Sequence, residues 1–526
     1  MSVPQIRTSW ALLILEGTGG AFPRPHHNGV DVKHKSSIVT RRNLLQGTGA
    51  ILATAVAPSW VSAQKASPPQ NRSSTMGVMD ELSKYMADAK YRILPPDVAE
   101  KAKEHLLDTF AAMVSGTELP PAMVALDFAR FNGGEKTATV VGSDLLCGPA
   151  DAAFVNGMLA HADEADDSHS PSHSHPGCAV VPAALATGEI FGIDGKHFLR
   201  AITLGYDIGT RVSMILGGLQ FQMKTHRSSH SIANNFGAAA AAGCSAGLGV
   251  QQMRWLMDYA AQQASGIAAW QRDTHHVEKS FVFGGAPARN GVGAALLIHF
   301  GANGVDDIFS GPDNFLMAFG PEADPMGLVD GLGERFEVTQ PNIKKWTVGS
   351  PIQAPLDALQ SILQEHAFQL DQLEKVVVRI ATSEARTVND RSMQDISLQQ
   401  MMAVMLVDKT VSFRAAHDKA RVGDPAIIRE RAKIELVPDE GLERLYPQLV
   451  AIVEVKLKSG ECYKQRIDAV RGTVSNPMTR DEVVGKCRDL MDPYLGAMQA
   501  TKLIDVVFNM ESLNHIGSLR RLLQRT

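Results

Sequence analysis

The chain has little cysteine, and what it has is scattered. Five cysteines occur singly among 526 residues, and no C-x-x-C spacing is present. This excludes a zinc or iron–sulfur site built on cysteine pairs. An odd and sparse set also argues against a framework of disulfide bonds, so we interpret most of the cysteines as small buried hydrophobic residues.

The chain also lacks an excess of positive charge and, beyond its N-terminal region, a long apolar run. Its formal net charge is -5 at pH 7, which provides no basic surface for nucleic acid. No later segment reaches about 18 uninterrupted apolar residues, the length that a membrane-spanning helix needs. A hydrophobic fraction of 44% in 526 residues indicates a globular chain with two or more lobes. We therefore expect a small-molecule partner, with no nucleic acid and no membrane for the mature form.

Residues 1–63 have the pattern of an export signal. Arg41-Arg42 precedes a mostly apolar, uncharged run from Leu44 to Ala57, and Val61-Ser62-Ala63 supplies the small residues of a cleavage site. An ordinary apolar helix start is the alternative, but the three features together predict a twin-arginine-type signal and a periplasmic location. The polar residues 64–78 are predicted to form a linker.

Residues 79–336 carry a helical pattern. Leu106, Phe110 and Val114 recur four residues apart, as on one face of a helix. Alanine-rich runs such as Gly237 to Gly243 have small side chains that allow helices to approach closely. The segment is therefore predicted to form a large all-helical domain.

The pattern changes over residues 337–475. Lys375 to Ala381 and Leu449 to Leu457 are rich in β-branched residues and partly alternating, as strands are. Ser459-Gly460 turns the second strand into a predicted hairpin, and helical stretches lie among the strands. This segment is predicted to be a smaller α+β lid domain.

Residues 476–526 are predicted to be helices that return to the helical domain. Thr479 and Glu482 have the spacing of a capping box at the start of the first of these helices. The predicted fold class is therefore mainly α, with a large all-helical domain and a smaller α+β lid.

The stretch from Asn156 to Gly177 contains the densest set of ionisable side chains. Its members are His161, Asp163, Glu164, Asp166, Asp167, His169, His173 and His175. Alanine-rich sequence flanks the stretch, which predicts a polar loop between two packed helices. We expect it to converge with two other segments, 224–230 and 279–291. Carboxylates and imidazoles in one place shift one another's pKa values and can serve as acid and base.

Two other interpretations of this loop need to be weighed. His169, His173 and His175 with Asp166 or Asp167 could ligate zinc, but Pro171 and several serines break the helical spacing, so no metal is predicted. A solvated loop whose histidines have no function is the second alternative. The glycines at 284, 285 and 291 indicate either backbone close to a ligand or two helices in tight contact.

The order and spacing of the motifs resemble the MmgE/PrpD family, which includes 2-methylcitrate dehydratase, cis-aconitate decarboxylase and an iminodisuccinate epimerase. The resemblance runs from about residue 80 to the end. Its motifs are Leu106-Leu-Asp-Thr109, Asn156-Gly157, 161–167, His175-Pro176, 205–211, 236–242, Lys279, 344–350 and Asn476-Pro477. It implies a homodimer with a metal-free and cofactor-free active site in the cleft between the helical domain and the lid.

The resemblance also implies roles for single residues. It assigns catalytic roles to Asp166, Asp167, His175, His226 and Lys279, and substrate-binding roles to Glu164, His230, Lys344, Gln353 and Gln400. The spacing leaves the second site histidine open between His226 and His230, with His226 favoured. Gln353 and Gln400 stand where many members have a histidine and a tyrosine.

The function implied is a cofactor-free lyase, a dehydratase or decarboxylase, that acts on a small di- or tricarboxylate. His175 or His226 would transfer a proton at a carbon next to a carboxylate, oriented by Asp166 or Asp167. Lys279 and Lys344 would stabilise the developing negative charge. An isomerase or epimerase on the same scaffold, a metal-dependent hydrolase and a non-catalytic carboxylate-binding protein remain as alternatives.

Overall fold

The structure, a computed structural model, describes residues 76–132 and 134–525. The predicted export signal lies outside the described residues, as does the predicted linker up to residue 75. Helix α1 already begins at Met76, so the last three residues of the predicted linker are helical.

The first part of the described chain is a stack of helices, as predicted. They are α1 (Met76–Asp88), α2 (Pro96–Gly116), α3 (Pro120–Asn132), α4 (Pro149–Ala160), α5 (Gly177–Phe191), α6 (Gly195–Leu216), α7 (Gly218–Thr225), α8 (Ser229–Ser245), α9 (Val250–Gln262), α10 (Val277–Ser280), α11 (Ala286–His299) and α12 (Phe315–Phe319). A short antiparallel pair, β1 (Ala138–Thr139) and β2 (Leu146–Cys147), precedes α4.

Small residues explain how these helices pack. Helices α6 and α8 cross where Gly205 and Gly209 lie against Gly237, and a Cβ at Gly205 would lie 2.9 Å from the carbonyl oxygen of Gly237. Helix α8 consists largely of buried alanine over 238–242. Side chains this small let the helix axes approach closely and fill the core without voids.

The stretch Val277–His299 joins α10, a π-helical segment at Phe281–Gly285, and α11. By length and composition it is apolar enough to cross a membrane, but 61% of its 18-residue apolar window is buried inside the fold, as expected of a core helix. Gly284 lies directly against the backbone of Gly157 in α4, and Gly291 lies against α8 at Ala238. Of the two interpretations of these glycines, the structure therefore shows helix contact.

A second hydrophobic core runs from Trp346 to Val470. Its helices are α13 (Ser350–Glu365), α14 (Thr382–Val388), α15 (Leu398–Asp408), α16 (Phe413–His417), α17 (Pro425–Arg431) and α18 (Glu440–Glu443), and its strands are β3 (Leu373–Ala381), β4 (Ile434–Asp439), β5 (Ala451–Leu457) and β6 (Cys462–Ile467). The sheet order is β4-β3-β5-β6. Strand β3 is antiparallel to β5, and β5 is antiparallel to β6, so the predicted strands and hairpin are present.

Strand β4 was not expected from the sequence. It pairs with β3 in parallel at the sheet edge, and Pro438 interrupts its apolar pattern. Proline is tolerated at an edge because one side of the strand needs no ladder hydrogen bonds. Parallel pairing also requires a crossover, here the helices α14 to α17, and local patterns do not reveal it.

The last helices are α19 (Arg480–Leu495), α20 (Ala497–Phe508) and α21 (Arg520–Leu523). The predicted capping box is present, with Thr479 Oγ1 accepting from the backbone of Glu482 and Glu482 accepting from the backbone of Thr479. Helix α19 packs against α2, and its buried apolar residues belong to the hydrophobic core of the helices α1 to α12, the first core. The fold is thus mainly α with a smaller α+β part, which confirms the predicted class.

Candidate active site

The loop between α4 and α5, residues 161–176, is buried rather than solvated. Asp166 and His161 are fully buried and His175 is 7% exposed. The loop folds on itself through an antiparallel bridge between His169 and Ser174, and a second bridge joins Ser168 to residue 342. The interpretation of this stretch as a solvated loop is therefore wrong.

Asp166 is the centre of an imidazole–carboxylate set. Its Oδ2 lies 2.8 Å from His161 Nδ1, and its Oδ1 lies 3.2 Å from His175 Nδ1. Burial alone would raise the pKa of Asp166, but the two imidazoles hold it well below its usual range. Burial lowers the pKa of His161 to about 3, so this ring is neutral and donates its Nδ1 proton to the carboxylate.

Glu164 is the centre of a second, cationic set. Its Oε1 pairs with Lys279 Nζ and lies 3.3 Å from His276 Nε2, and its Oε2 lies 3.1 Å from Lys344 Nζ. Burial would raise the pKa of this carboxyl, but the two ammonium groups hold it well below its usual range. Glu164 is therefore ionised and shared between two lysines.

The two lysines differ in access. Lys344 is 1% exposed at its side chain, donates to the backbone carbonyl of Glu164 at 3.0 Å and lies 3.7 Å from Asp166. Burial would lower its pKa, but Glu164 and Asp166 raise it above its ordinary value. Lys279 is 13% exposed, and its backbone N–H is fixed by Asp273 at 2.9 Å. Lys279 is thus the ammonium group that a ligand can reach.

His230, and not His226, belongs to this cluster. His226 is exposed and ends α7 with a left-handed backbone (φ 60°); its backbone N–H donates to the carbonyl of Gln222, and its carbonyl accepts from Ala268. His230 lies on the first turn of α8, and its ring stacks on Phe283 at 4.0 Å. The preference for His226 is therefore wrong, because the chain reverses between the two residues and turns only the second inward.

Asp167 also differs from its expected place. Its Oδ2 accepts from Tyr206 at 2.6 Å and lies 3.0 Å from His105 Nδ1, and its Oδ1 accepts from the backbone of Gly177 at 3.1 Å. These partners lie on α2, α5 and α6, so the side chain points away from His175. Asp167 holds the loop and the start of α5 in place, and Asp166 is the carboxylate that contacts His161 and His175.

Gln353 and Gln400 do not contact the charged cluster. The side chain of Gln353 bonds to both backbone groups of Trp346 and to the carbonyl of Val348, which closes the turn before α13. Gln400 is buried on α15, and its Oε1 accepts from Arg431 at 3.4 Å. The Gln353 amide is satisfied by the backbone of the second core, whereas the buried Nε2 of Gln400 has no hydrogen-bond partner among the described residues. Neither side chain contacts the charged cluster, so the structure does not support their predicted contact with substrate.

Two site residues were missed by sequence reasoning. His276 contacts Glu164, and its position three residues before Lys279 was the available signal. His417 on α16 lies 3.1 Å from Asp163, and this contact joins the second core to the loop. Burial would lower the pKa of His417, but Asp163 raises it to about 9. No local signal marks His417, which lies far along the chain.

Among the residues that the structure describes, two groups of side chains have the spacing of metal ligands. They are His161 with Asp166 and His175, and His161 with Glu164 and His276, with donor atoms within 4.8 Å of one another in each group. In both groups the carboxylate already pairs with imidazole N–H groups or ammonium groups. The positive charge of Lys279 and Lys344 beside these oxygens opposes the binding of a further cation.

The fold and the site define a mainly helical protein with two cores and a buried acid–base cluster where the cores meet. Residues 80–326 match the MmgE/PrpD N-terminal domain, and residues 346–511 match the MmgE/PrpD C-terminal domain. The chain belongs to the MmgE/PrpD family.

Relatives of this chain carry names that state an activity. The cis-aconitate decarboxylase of Homo sapiens is 25% identical over 450 residues, which are 81% of this chain and 90% of that protein. The cis-aconitate decarboxylase-like protein oryM of Aspergillus oryzae is 24% identical over 85% of this chain and 97% of its own length. The cis-aconitate decarboxylase of Aspergillus terreus is 23% identical over 85% and 96%. At the level of the family, these relatives support a lyase that acts on a small carboxylate.

Proposed function

We propose that this chain removes carbon dioxide or water from a small di- or tricarboxylate by moving a proton at a carbon next to a carboxylate. The observation that carries the proposal is the buried pair of sets in which Asp166 joins two imidazoles and Glu164 joins two ammonium groups. The names of the relatives make cis-aconitate the first acid to test.

His175 is the group that we assign to proton transfer. Its Nδ1 faces Asp166, which fixes the ring and leaves Nε2 for the substrate carbon. Its side chain is 9% exposed, whereas that of His161 is fully enclosed. The ionised Asp166 stabilises the imidazolium that forms when His175 takes up a proton.

Lys279 is the group that we assign to the developing negative charge. In decarboxylation, the bond from the substrate carbon to the leaving carboxylate breaks, its electron pair stays on that carbon, and carbon dioxide departs. The protonated His175 then delivers its proton to the same carbon. In dehydration, the neutral His175 takes a proton from the carbon, the C–H electron pair forms the alkene as the bond to the hydroxyl group on the neighbouring carbon breaks, and the imidazolium of His175 gives its proton to the departing hydroxyl group, which leaves as water. In both cases an ammonium group beside the remaining carboxylate lowers the energy of the carbanion.

Isomerisation or epimerisation is the second candidate. Two imidazoles share Asp166, and inversion at a carbon needs one proton donor and one acceptor on opposite faces. The buried Nε2 of His161 has no hydrogen-bond partner within the described part of the chain, but burial lowers the pKa of this ring to about 3, which makes it a weak proton acceptor. Identification of the products distinguishes the epimerase from the lyase.

The test is incubation of the protein with a panel of di- and tricarboxylic acids, starting with cis-aconitate, in deuterium oxide with a chelator, followed by proton NMR. We expect the signals of the substrate to be replaced by those of a dehydrated or decarboxylated product, with deuterium incorporated next to a carboxylate or a new alkene signal. His175→Asn and Lys279→Met should each abolish the change, because one removes the proton carrier and the other the ammonium group. His226→Asn is the matched control and should leave the rate unchanged, since that ring is exposed and outside the cluster.

Three other results would contradict the proposal. Exchange that occurs only after zinc is added would indicate a metal-dependent enzyme. Exchange without a net product would favour the epimerase. Thermal stabilisation by an acid with neither exchange nor product would indicate a carboxylate-binding protein.

A further inference from the structure

One wall of the site is aromatic, and Phe283 is its centre. The ring of His230 stacks on Phe283 at 4.0 Å, and that of Trp270 meets it edge-on at 4.7 Å. Lys279 Nζ lies 5.4 Å from the centre of Phe283 and 5.7 Å from that of Trp270. The wall therefore places an ammonium group and an indole side by side.

The indole N–H of Trp270 is shielded from water and has no hydrogen-bond partner among residues 76–132 and 134–525. An indole can only donate, so the atom needs an acceptor. A donor that is buried without one costs about 1–3 kcal/mol, and native folds rarely leave such a group without a reason.

The other two tryptophans in the described residues provide the comparison. Trp255 Nε1 donates to Asp306 at 2.8 Å, and Trp346 Nε1 donates to Asp357 at 3.0 Å. Each has a carboxylate of the same chain as its acceptor. Trp270 lacks such a carboxylate and instead has the ammonium group of Lys279 nearby.

We propose that Trp270 is a specificity-determining residue whose indole N–H donates to a carboxylate of the substrate. The acceptor is anionic because Lys279 supplies the positive charge at this wall. The ring of His230 separates Trp270 from His175, at centre distances of 5.3 and 5.5 Å. This carboxylate is therefore not the one at the reacting carbon. The substrate class is a polycarboxylate that spans the His230 ring, with one carboxylate at Trp270 and the reacting carbon at His175.

This inference rests on the proposed function for the place of the reacting carbon, but its test needs no turnover. The affinity of tricarballylate, a saturated tricarboxylate, is measured by titration calorimetry for the wild type and for Trp270→Phe. The substitution keeps an aromatic ring and removes the N–H. We expect about 10- to 100-fold weaker binding, the effect of one hydrogen bond to a charged acceptor. Trp255→Phe is the matched control, because it removes an indole N–H outside the site, and it should leave the affinity unchanged.

A second readout separates binding from folding. The melting temperature of the ligand-free Trp270→Phe variant should equal or exceed that of the wild type, because the substitution removes an unsatisfied donor. A structural role for the indole would lower it. In the wild type labelled with 15N at the indoles, the Trp270 N–H proton should shift downfield when tricarballylate is added, which tests the contact without any substitution.

The proposal is overturned if tricarballylate does not bind the wild type, if its affinity for Trp270→Phe stays within threefold of the wild type, or if the Trp270 indole signal does not move on binding. Absence of turnover with any acid, together with weaker binding of tricarballylate to Trp270→Phe, would refute the lyase and support the carboxylate subsite at Trp270. Turnover by the wild type that is unchanged in Trp270→Phe would support the lyase and refute the subsite.

Discussion

Replacement of Lys344 by methionine should destabilise the fold strongly, because it removes a buried cation between two carboxylates. Lys344 Nζ lies 3.1 Å from Glu164 Oε2 and 3.7 Å from Asp166 Oδ1, and its side chain is 1% exposed. Removal of one partner of a buried ion pair costs about 3–5 kcal/mol, because the remaining charge stays in a medium of low polarity. Glu164 keeps Lys279 as a partner, so we expect the lower end, about 3 kcal/mol.

The assay is urea unfolding, with the adjacent lysine as control. Lys345 is 26% exposed at its side chain and lies 3.4 Å from Asp357. Ion pairs that are open to solvent contribute about 0–1 kcal/mol to stability, so Lys345→Met should lower the free energy of unfolding by at most about 1 kcal/mol. The double variant Glu164→Gln with Lys344→Met should lose less free energy of unfolding than the two single variants lose together. The reason is that the double variant also removes the carboxylate that Lys344→Met leaves without its partner.

The effect should also depend on pH. The pKa of Glu164 is depressed in the folded protein, so its ionised form contributes stability above its ordinary value of 4.5, and this contribution is lost as the pH falls further. The difference between the wild type and Lys344→Met should be full at pH 7 and should narrow below pH 4.5. Equal losses for Lys344→Met and Lys345→Met, or a difference that does not change with pH, would refute the reasoning.

Three further predictions follow from single contacts. The pKa of His417 is raised from 6.5 to about 9, so the wild type should lose stability as the pH rises through this range, and His417→Gln should flatten that slope in urea unfolding. His230→Asn should lower the turnover rate, because it removes the ring that packs between Phe283 and His175, whereas His226→Asn should stay within about twofold; equal rates for the two variants would contradict the placement of His230, rather than His226, in the site. Gly284→Ala should lower the free energy of unfolding by about 1–3 kcal/mol, because its Cβ would clash with the backbone of α4. Gly293→Ala, which meets open space, should be neutral or stabilising by up to about 1 kcal/mol, and similar losses in both would contradict the packing argument.

Local patterns were sufficient for much of the fold. The β-branched run that forms β3, the turn between β5 and β6, and the capping box at Thr479 each depend on residues that are close in sequence. Such features are determined by backbone preferences and by short-range hydrogen bonds. Strand β4 could not be found in this way, because its partner lies on the far side of a crossover of about 50 residues and the pairing itself makes it a strand.

The sequence by itself also predicted that the segments 156–177, 224–230 and 279–291 converge, and residues of all three lie together in the structure. It could not determine which way each side chain points. Asp166 and Asp167 are neighbours of the same type, yet one joins two histidines and the other holds the loop to α2 and α6, because successive residues of a loop face different surroundings. The left-handed residue at 226 turns His230, and not His226, into the core. His417 reaches Asp163 only because the two cores meet there, and that contact exists only once the whole chain has folded.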